Sequence, residues 1–297
     1  MLLYVGESDS HLPIYCISGG VLRLIKQGKV RDIYSLNDKQ LLFVASDRLS
    51  AYDVIFPDPV PGKGVVLTSL TRWWLDQTKG IVPSHWTGND REPLRDLIAA
   101  SSGTLPVDLP KRAMIVERCD VIPFECVVRG YAYGSYLKQH PGVKPMTPFD
   151  EPLFTPSTKA IEGHDETVPF EAMRDALGET ADTLRDLSIQ MFRLGTDLCR
   201  RAGIILVDTK FEFGRDRNGG IKLIDECFTP DSSRFILKED VERGVLESYD
   251  KQIVRDYVDG IGWDRTPPAP SLPREVIEKT AARYQAIEAR ITGAQGE

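Results

Sequence analysis

Between Ile204 and Phe213 the chain alternates, with Ile205, Val207, Phe211 and Phe213 on one side and Asp208, Lys210 and Glu212 on the other. This is the two-residue period of a strand. The stretch Gly214–Gly220 is rich in turn residues and ends in Asn218-Gly219-Gly220, so a second strand is expected at Ile221–Glu226, closing on Asp225-Glu226. A lysine and several carboxylates crowded on one hairpin cost desolvation and mutual repulsion unless a cation or a phosphate completes the balance. Magnesium favours one or two carboxylates, with its other oxygens from water and a nucleotide. The pattern therefore suggests a magnesium-nucleotide site, against the alternative of a solvated edge hairpin whose charges keep it soluble. The next turn, Thr229-Pro230-Asp231-Ser232-Ser233-Arg234, ends in a guanidinium suited to carboxylate or phosphate, which favours the first reading.

Three further runs carry candidate chemistry. In Gln27-Gly28-Lys29-Val30-Arg31-Asp32 a glycine lets the backbone approach a ligand, and Lys29 and Arg31 share a strand face from which both can reach a triphosphate. The run is neither a P-loop nor a GxGxxG, and a solvated turn is the competing reading. Ser46-Asp47-Arg48-Leu49-Ser50 follows an apolar strand, where sites are often built, although Asp47 and Ser50 are equally good capping residues. Val127–Ser135 closes a buried type of strand with Arg129 and carries two glycines. Arg129 with the Ser135 hydroxyl suits a phosphate monoester, and a structural turn is the alternative.

The elements that must hold these groups can be read more coarsely. Leu22–Ile25, Arg31–Tyr34 and Leu41–Ala45 are expected as an antiparallel meander, followed by a helix from Gly64 to about Gln77. The proline- and glycine-broken stretch from Lys79 to Pro110 is expected to be irregular and to mark a lobe boundary. Ala113–Arg118 and Phe124–Arg129 read as strands, and Gly134–Glu179, with its many prolines, reads mostly as loop. Leu184, Leu187, Met191, Leu194 and Leu198 mark an amphipathic helix closed by Gly203, and Leu246, Tyr249, Ile253, Val254 and Tyr257 mark another. Thr266–Pro270 is a stiff linker to a terminal helix lined by Ile277, Thr280, Tyr284, Ile287 and Ile291. Without a regular βαβ rhythm, these elements indicate a two-lobed α+β protein: an antiparallel lobe at 1–115, an α+β lobe at 116–266, and linker plus packed-back helix at 267–297.

Bulk properties exclude several classes. The 297 residues, 41% hydrophobic and 27% charged, are those of a globular chain, and the net charge of −7 argues against a nucleic-acid scaffold. Cys16, Cys119, Cys126, Cys199 and Cys227 form no C-x-x-C pair, which fits a reducing cytoplasm better than a disulfide framework. His11, His85, His140 and His164 have no zinc-ligand spacing. Nothing resembles a signal peptide or a membrane span.

Taken together the runs resemble a known family. GKVRDIY (28–34), LLFVASDRLSAYDVIF (41–56), PGKG with its following LT (61–68), VERCDVIPFECVVRGYAYGS (116–135), LFTPSTKA with GHDE (153–166), ILVDTKFEFG (205–214) and LIDECFTPDSSRF (223–235) occur in the order of phosphoribosylaminoimidazole-succinocarboxamide synthase, or SAICAR synthetase, in its longer, yeast-like form. The resemblance implies a nucleotide cleft between the two lobes, in an architecture related to ATP-grasp enzymes and kinases. It implies an ATP- and Mg2+-dependent ligase joining L-aspartate to 5-amino-1-(5-phosphoribosyl)imidazole-4-carboxylate, and for the longer form a monomer.

By the same resemblance Lys29, Arg31 and Lys210 hold ATP, Val116, Glu117 and Arg118 form the adenine-facing strand, and Glu212 with Asp225 binds the metal. Arg129, Ser135 and Arg234 grip the imidazole ribonucleotide, with Asp208, Asp231 and Ser233 nearby and Asp47 and Ser50 as further substrate contacts. Lys210, Asp208 and Arg234 stand closest to the reaction. Two positions depart from the family pattern: Ala132-Tyr133, where an aliphatic residue and threonine are expected, and Thr167, where asparagine is usual; His164 and Asp165 are read as parts of a loop. A kinase-like phosphotransferase using the same cleft on another small acceptor is the competing reading, the absence of H-R-D-x-x-x-x-N and D-F-G runs counting against a protein kinase, and a non-catalytic nucleotide-binding regulator is disfavoured by the presence of both Glu212 and Asp225.

Overall fold

The computed structural model describes residues 14–17, 20–101, 105, 107–159 and 166–293. The meander is present as β1 (Ile14–Ile17), β2 (Gly20–Gln27), β3 (Arg31–Ser35) and β4 (Gln40–Ala45), followed by the two-residue strands β5 (Ser50–Ala51) and β6 (Val54–Ile55). Helices α1 (Lys63–Thr78), α2 (Arg91–Ala100) and α3 (Leu109–Arg112) then lead into β7 (Ala113–Glu117), which pairs with β4 and completes the sheet β1-β2-β3-β4-β7. Because β7 runs to Glu117, the sheet ends just beyond the boundary expected at 115.

The stretch expected to be irregular between Lys79 and Pro110 contains α2. Pro93 falls in the first turn of that helix, where an amide needs no intrahelical partner, so it does not break the helix. Leu94, Leu97 and Ile98 pack on Leu22, Leu24 and Leu42 of the sheet, which makes α2 a cover for this lobe.

The second sheet is built by β8 (Asp120–Tyr131), β9 (Pro148–Phe154), β10 (Ser157–Thr158), β11 (Ile204–Arg215), β12 (Ile221–Ile224) and β13 (Ser233–Leu237), with α4 (Ser135–Gln139), α5 (Phe170–Leu177) and α6 (Glu179–Arg201) between them. The expectation of a mostly loop-like 134–179 is therefore corrected. Among the described strands β9 pairs with β8 alone, so it is an edge, where Pro148 and Pro152 interrupt no ladder on the outer side.

Long helix α6 presents Leu184, Met191, Phe192 and Leu198 to the same core as Phe124, Cys126 and Val128 of β8 and Phe211 and Phe213 of β11. The partition of β11 also differs from the expected one. Leu206 pairs with Phe235 and Asp208 with Arg234, so Val207 is the extra residue of a β-bulge. Ile204 and Leu206 face the core before the bulge, Phe211 and Phe213 after it, and Ile205 and Val207 do not join that cluster. Strand β12 stops at Ile224, short of Glu226, because Asp225 adopts φ 62° and turns the chain out of the ladder.

The chain ends in α7 (Lys238–Glu242), α8 (Gln252–Gly260) and α9 (Arg274–Gly293). The helix expected to begin near Leu246 starts at Gln252, since Tyr249 donates its amide to Phe235 of β13 at 2.7 Å. Helix α9 packs back against α1 and α8, burying Tyr284, Ile287 and Ile291 in the main core. Segment Pro83–Trp86 stitches the sheets together: His85 donates to Leu223 O at 2.9 Å and accepts from the Glu117 amide at 2.7 Å.

Candidate active site

The alternation of β8 and β11 puts one row of polar groups on the face opposite the core. Glu212 lies across from Glu125, Lys210 from Val127 and Asp208 from Arg129. Lys210 Nζ reaches Glu212 Oε1 at 3.0 Å and also pairs with Glu125, while Lys159 caps the other Glu212 oxygen. Burial pushes the Glu212 carboxyl up, but the charges of Lys210 and Lys159 outweigh it and hold it at about 2. Burial likewise pulls Lys210 down, and Glu212 and Glu125 overcome it, so the ammonium is held well above its ordinary value.

Next along the same face, Asp208 Oδ2 accepts from Arg129 Nη1 at 3.0 Å and from Arg234 Nη1 at 2.5 Å. Arg129 also reaches Thr155 Oγ1 at 3.0 Å and Ser135 Oγ at 3.2 Å. The Tyr133 ring lies 5.7 Å from the Arg234 guanidinium carbon. Gly134, at φ 58°, allows this crowding: a Cβ there would stand 2.7 Å from Arg234 Nη2. Arg234 Nε also lies 3.9 Å from the buried Asp250, which Arg255 pairs at 2.8 Å, so three guanidiniums share two carboxylates, leaving one excess positive charge in a fork geometry that matches a phosphate monoester.

Toward the first sheet, Arg31 pairs with Asp225 and reaches Glu226 Oε2 at 3.3 Å, its guanidinium 5.8 Å from the Phe43 ring. Glu226 is buried and accepts from Thr229 Oγ1 at 2.9 Å, whereas Asp225 is half-buried, so Asp225 is the more accessible carboxylate. Lys29 pairs with Asp53. Glu212 sits opposite Ile224, one residue before Asp225, so the hairpin brings both expected metal ligands to its end.

Each of these two carboxylates is already paired with a cation, Glu212 with Lys159 and Lys210 and Asp225 with Arg31. Among the described residues no group of three or more His, Cys, Asp or Glu is placed to hold a metal. Two carboxylates fit a magnesium ion only if it displaces these cations and takes its remaining oxygens from phosphate and water.

Of the expected adenine strand, Val116 is buried, Glu117 pairs with Lys222 at 3.2 Å, and Arg118 donates to Ser35 Oγ at 3.1 Å. Glu117 also walls a groove of about 570 Å3 lined by Asn37, Asp38, Lys39, Gln40 and Thr87.

Four expected substrate contacts have protein partners of their own. Asp47 accepts from the amides of Gly62 (3.2 Å) and Gly64 (2.9 Å) and caps the start of α1. Ser50 is buried in the β5–β6 pair. Ser233 Oγ lies 2.7 Å from Thr209 Oγ1, both buried. Asp231 is buried between Lys63 (2.7 Å) and Lys251 (3.0 Å), with Tyr284 Oη donating at 2.6 Å. His164 and Asp165 lie outside the described residues.

Glu125, Lys159 and Thr155 escaped the reading of individual residues. For Glu125 a signal existed, since Phe124, Cys126 and Val128 alternate with Glu125, Val127 and Arg129. Thr155 and Lys159 both lie in the LFTPSTKA block, but no role was read for either because β9 and β10 were not foreseen.

Residues 24–270 match the sequence pattern of the SAICAR synthetase family. The phosphoribosylaminoimidazole-succinocarboxamide synthase of Chromobacterium violaceum is 42% identical over 290 residues, covering 92% of this chain and 99% of that protein. That of Pelobacter propionicus is 44% identical over 287 residues, covering 92% and 95%. The solved SAICAR-synthase from Saccharomyces cerevisiae complexed with SAICAR superposes with a TM-score of 0.79 at 33% identity, covering 92% of this chain and 95% of its own.

Proposed function

The chain belongs to the SAICAR synthetase family, and from that membership and the site geometry we propose how its residues divide the work of the reaction. It is a ligase that condenses 5-amino-1-(5-phosphoribosyl)imidazole-4-carboxylate with L-aspartate in purine biosynthesis. ATP is the energy source. A carboxylate is a poor electrophile until one of its oxygens becomes a phosphate, so the imidazole carboxylate takes the γ-phosphoryl group and the aspartate amine then displaces phosphate.

The Arg129–Asp208–Arg234 fork with Ser135 holds the 5′-phosphate of the imidazole ribonucleotide. Lys29, Arg31 and Lys210 face the nucleotide phosphates, and the groove beside Glu117, at the end of the Val116–Arg118 strand, receives the base. Glu212 and Asp225 would hold Mg2+, which when bound neutralises triphosphate charge. With those carboxylates so engaged, Lys210, still paired with Glu125, and Arg31, still within reach of Glu226, would turn toward phosphate, so positioning and charge do the work without a protein nucleophile. We read residues 1–115 as the phosphate-turn lobe, 116–266 as the metal and substrate lobe and 267–297 as linker and brace. The longer, yeast-like length supports a monomer, and the unpaired cysteine pattern supports a cytoplasmic enzyme.

The carrying observation is that the Lys210–Glu212 pair and the Arg129–Asp208–Arg234 fork occupy one face of one sheet, so a phosphate-anchored substrate lies beside the phosphoryl-transfer groups. The test is ADP release with each substrate omitted in turn. Release that requires the imidazole ribonucleotide supports this reading, and equal release with neither acceptor present would reduce the chain to an ATPase.

A further inference from the structure

In the run Ser46–Ser50, where Asp47 accepts from the Gly62 and Gly64 amides, the Arg48 side chain touches the turn read as facing the nucleotide. Its Nη2 donates to Gly28 O at 3.0 Å and its Nε to Lys29 O at 3.4 Å. The same guanidinium grips Asp32 two-handed, Nη1 to Oδ2 at 3.2 Å and Nη2 to Oδ1 at 2.6 Å. The next carbonyl, Val30 O, accepts from the amide and the hydroxyl of Ser46, each at 2.9 Å, and Arg31 O accepts from Gly28 N at 2.8 Å. Four consecutive carbonyls, Gly28 to Arg31, are thus engaged from within the protein.

A carbonyl oxygen is the wrong pole for a phosphate, and a turn binds an anion only when its N–H groups are the ones presented. Among the described residues the amides of Lys29 and Val30 have no protein acceptor. Neighbouring side chains on a strand leave on opposite faces, so Arg31 goes to Asp225 and Glu226 while Asp32 goes to Arg48. Gly28 keeps the turn tight, since a Cβ there would stand 2.7 Å from Arg31 O.

We propose that Arg48 is a positioning residue for MgATP: by holding the carbonyls of Gly28 and Lys29 on the Asp32 side, it fixes the 28–31 turn with its amides, Lys29 and Arg31 turned to the triphosphate. The inference rests on the reading that this turn meets ATP. A lysine cannot replace it, because one ammonium lacks the planar fork that spans two carbonyls and a carboxylate.

The experiment is calorimetric titration of wild type, Arg48→Gln, Arg48→Lys and Asp32→Asn with MgATP alone, followed by steady-state kinetics. Arg48→Gln and Arg48→Lys are expected to weaken MgATP binding by roughly tenfold or more, the loss of one to two hydrogen bonds to a charged group. KM for ATP should rise with it, while KM for the imidazole ribonucleotide stays within about twofold, since that substrate is held on the other sheet. Asp32→Asn, which keeps the shape and loses the charge, should move the same way by less and decides the matter should the Arg48 variants not fold. Wild-type affinity in the folded variants, or an equal rise in KM for every substrate, overturns the positioning role. Failure of the wild-type chain to bind MgATP instead overturns the functional reading, and this inference with it.

Discussion

Glu125 and Glu212 face each other directly across β8 and β11, two buried carboxylates with Lys210 paired to both. Like charges so placed repel, and the pair is tolerated only because Lys210 and Lys159 supply compensating charge. The consequence appears in acid. The Glu212 carboxyl is lowered from 4.5 to about 2, so its stabilising contribution is fully present above the ordinary glutamate value and disappears as pH falls through the folded value. Glu212→Gln should cost on the order of 3 kcal/mol at pH 6 in urea unfolding, with the deficit shrinking steadily below about pH 4. A deficit unchanged between those pH values would contradict the assignment of charge.

Removing either carboxylate at the hairpin end should stop catalysis while the chain still folds, less stably for Glu212 than for Asp225. Glu212→Ala and Asp225→Ala are expected to lower turnover by roughly 10²–10³-fold or more, with far-ultraviolet circular dichroism unchanged. Chelating magnesium from wild type should stop turnover reversibly. Wild-type rates in either variant would refute the metal role of that residue.

Much of this site was legible because it is written locally. A period of two for β11, turn residues at Asn218-Gly219-Gly220 and the sequence order of the charged runs each reside in a short window of chain. What could not be read was set by partners distant in sequence. The bulge at Val207 lies in the pairing of β11 with β13, a partner distant in sequence, and it moves Ile205 and Val207 off the face of Phe211. Proline density around 148–152 reads as loop unless one knows that β9 has a free side. Asp47 and Asp231 have the residue type of ligands; their protein partners, the amides of Gly62 and Gly64 in one case and two lysines in the other, lie too far away in sequence to be read from it.

Gly134 gives a sharper probe of the phosphate fork than a charge deletion. Alanine at this φ of 58° is strained, and its Cβ would meet the Arg234 guanidinium at 2.7 Å. Gly134→Ala should therefore displace Arg234 and raise KM for the imidazole ribonucleotide, approaching the roughly 100-fold expected for Arg234→Ala from the loss of charge-assisted bonds. KM for ATP should not move. A normal KM for the ribonucleotide in both variants would show that its phosphate binds elsewhere.

Asp231 offers the cleanest separation of structure from substrate binding. Burial alone would raise its carboxyl, but Lys251 and Lys63 hold it far below the ordinary range, while burial pulls the Lys63 ammonium down against the attraction of Asp231. Removing one partner strands the others: Asp231→Ala should cost about 3–5 kcal/mol, and Tyr284→Phe, which deletes a single donor, about 1 kcal/mol. The double variant Lys63→Met/Asp231→Asn should lose less than the sum of its single changes, because both charges leave together. Urea unfolding of the four proteins measures this coupling. If Asp231→Asn instead keeps its stability and loses affinity for the ribonucleotide, the residue contacts substrate after all, and the buried cluster opens during the reaction.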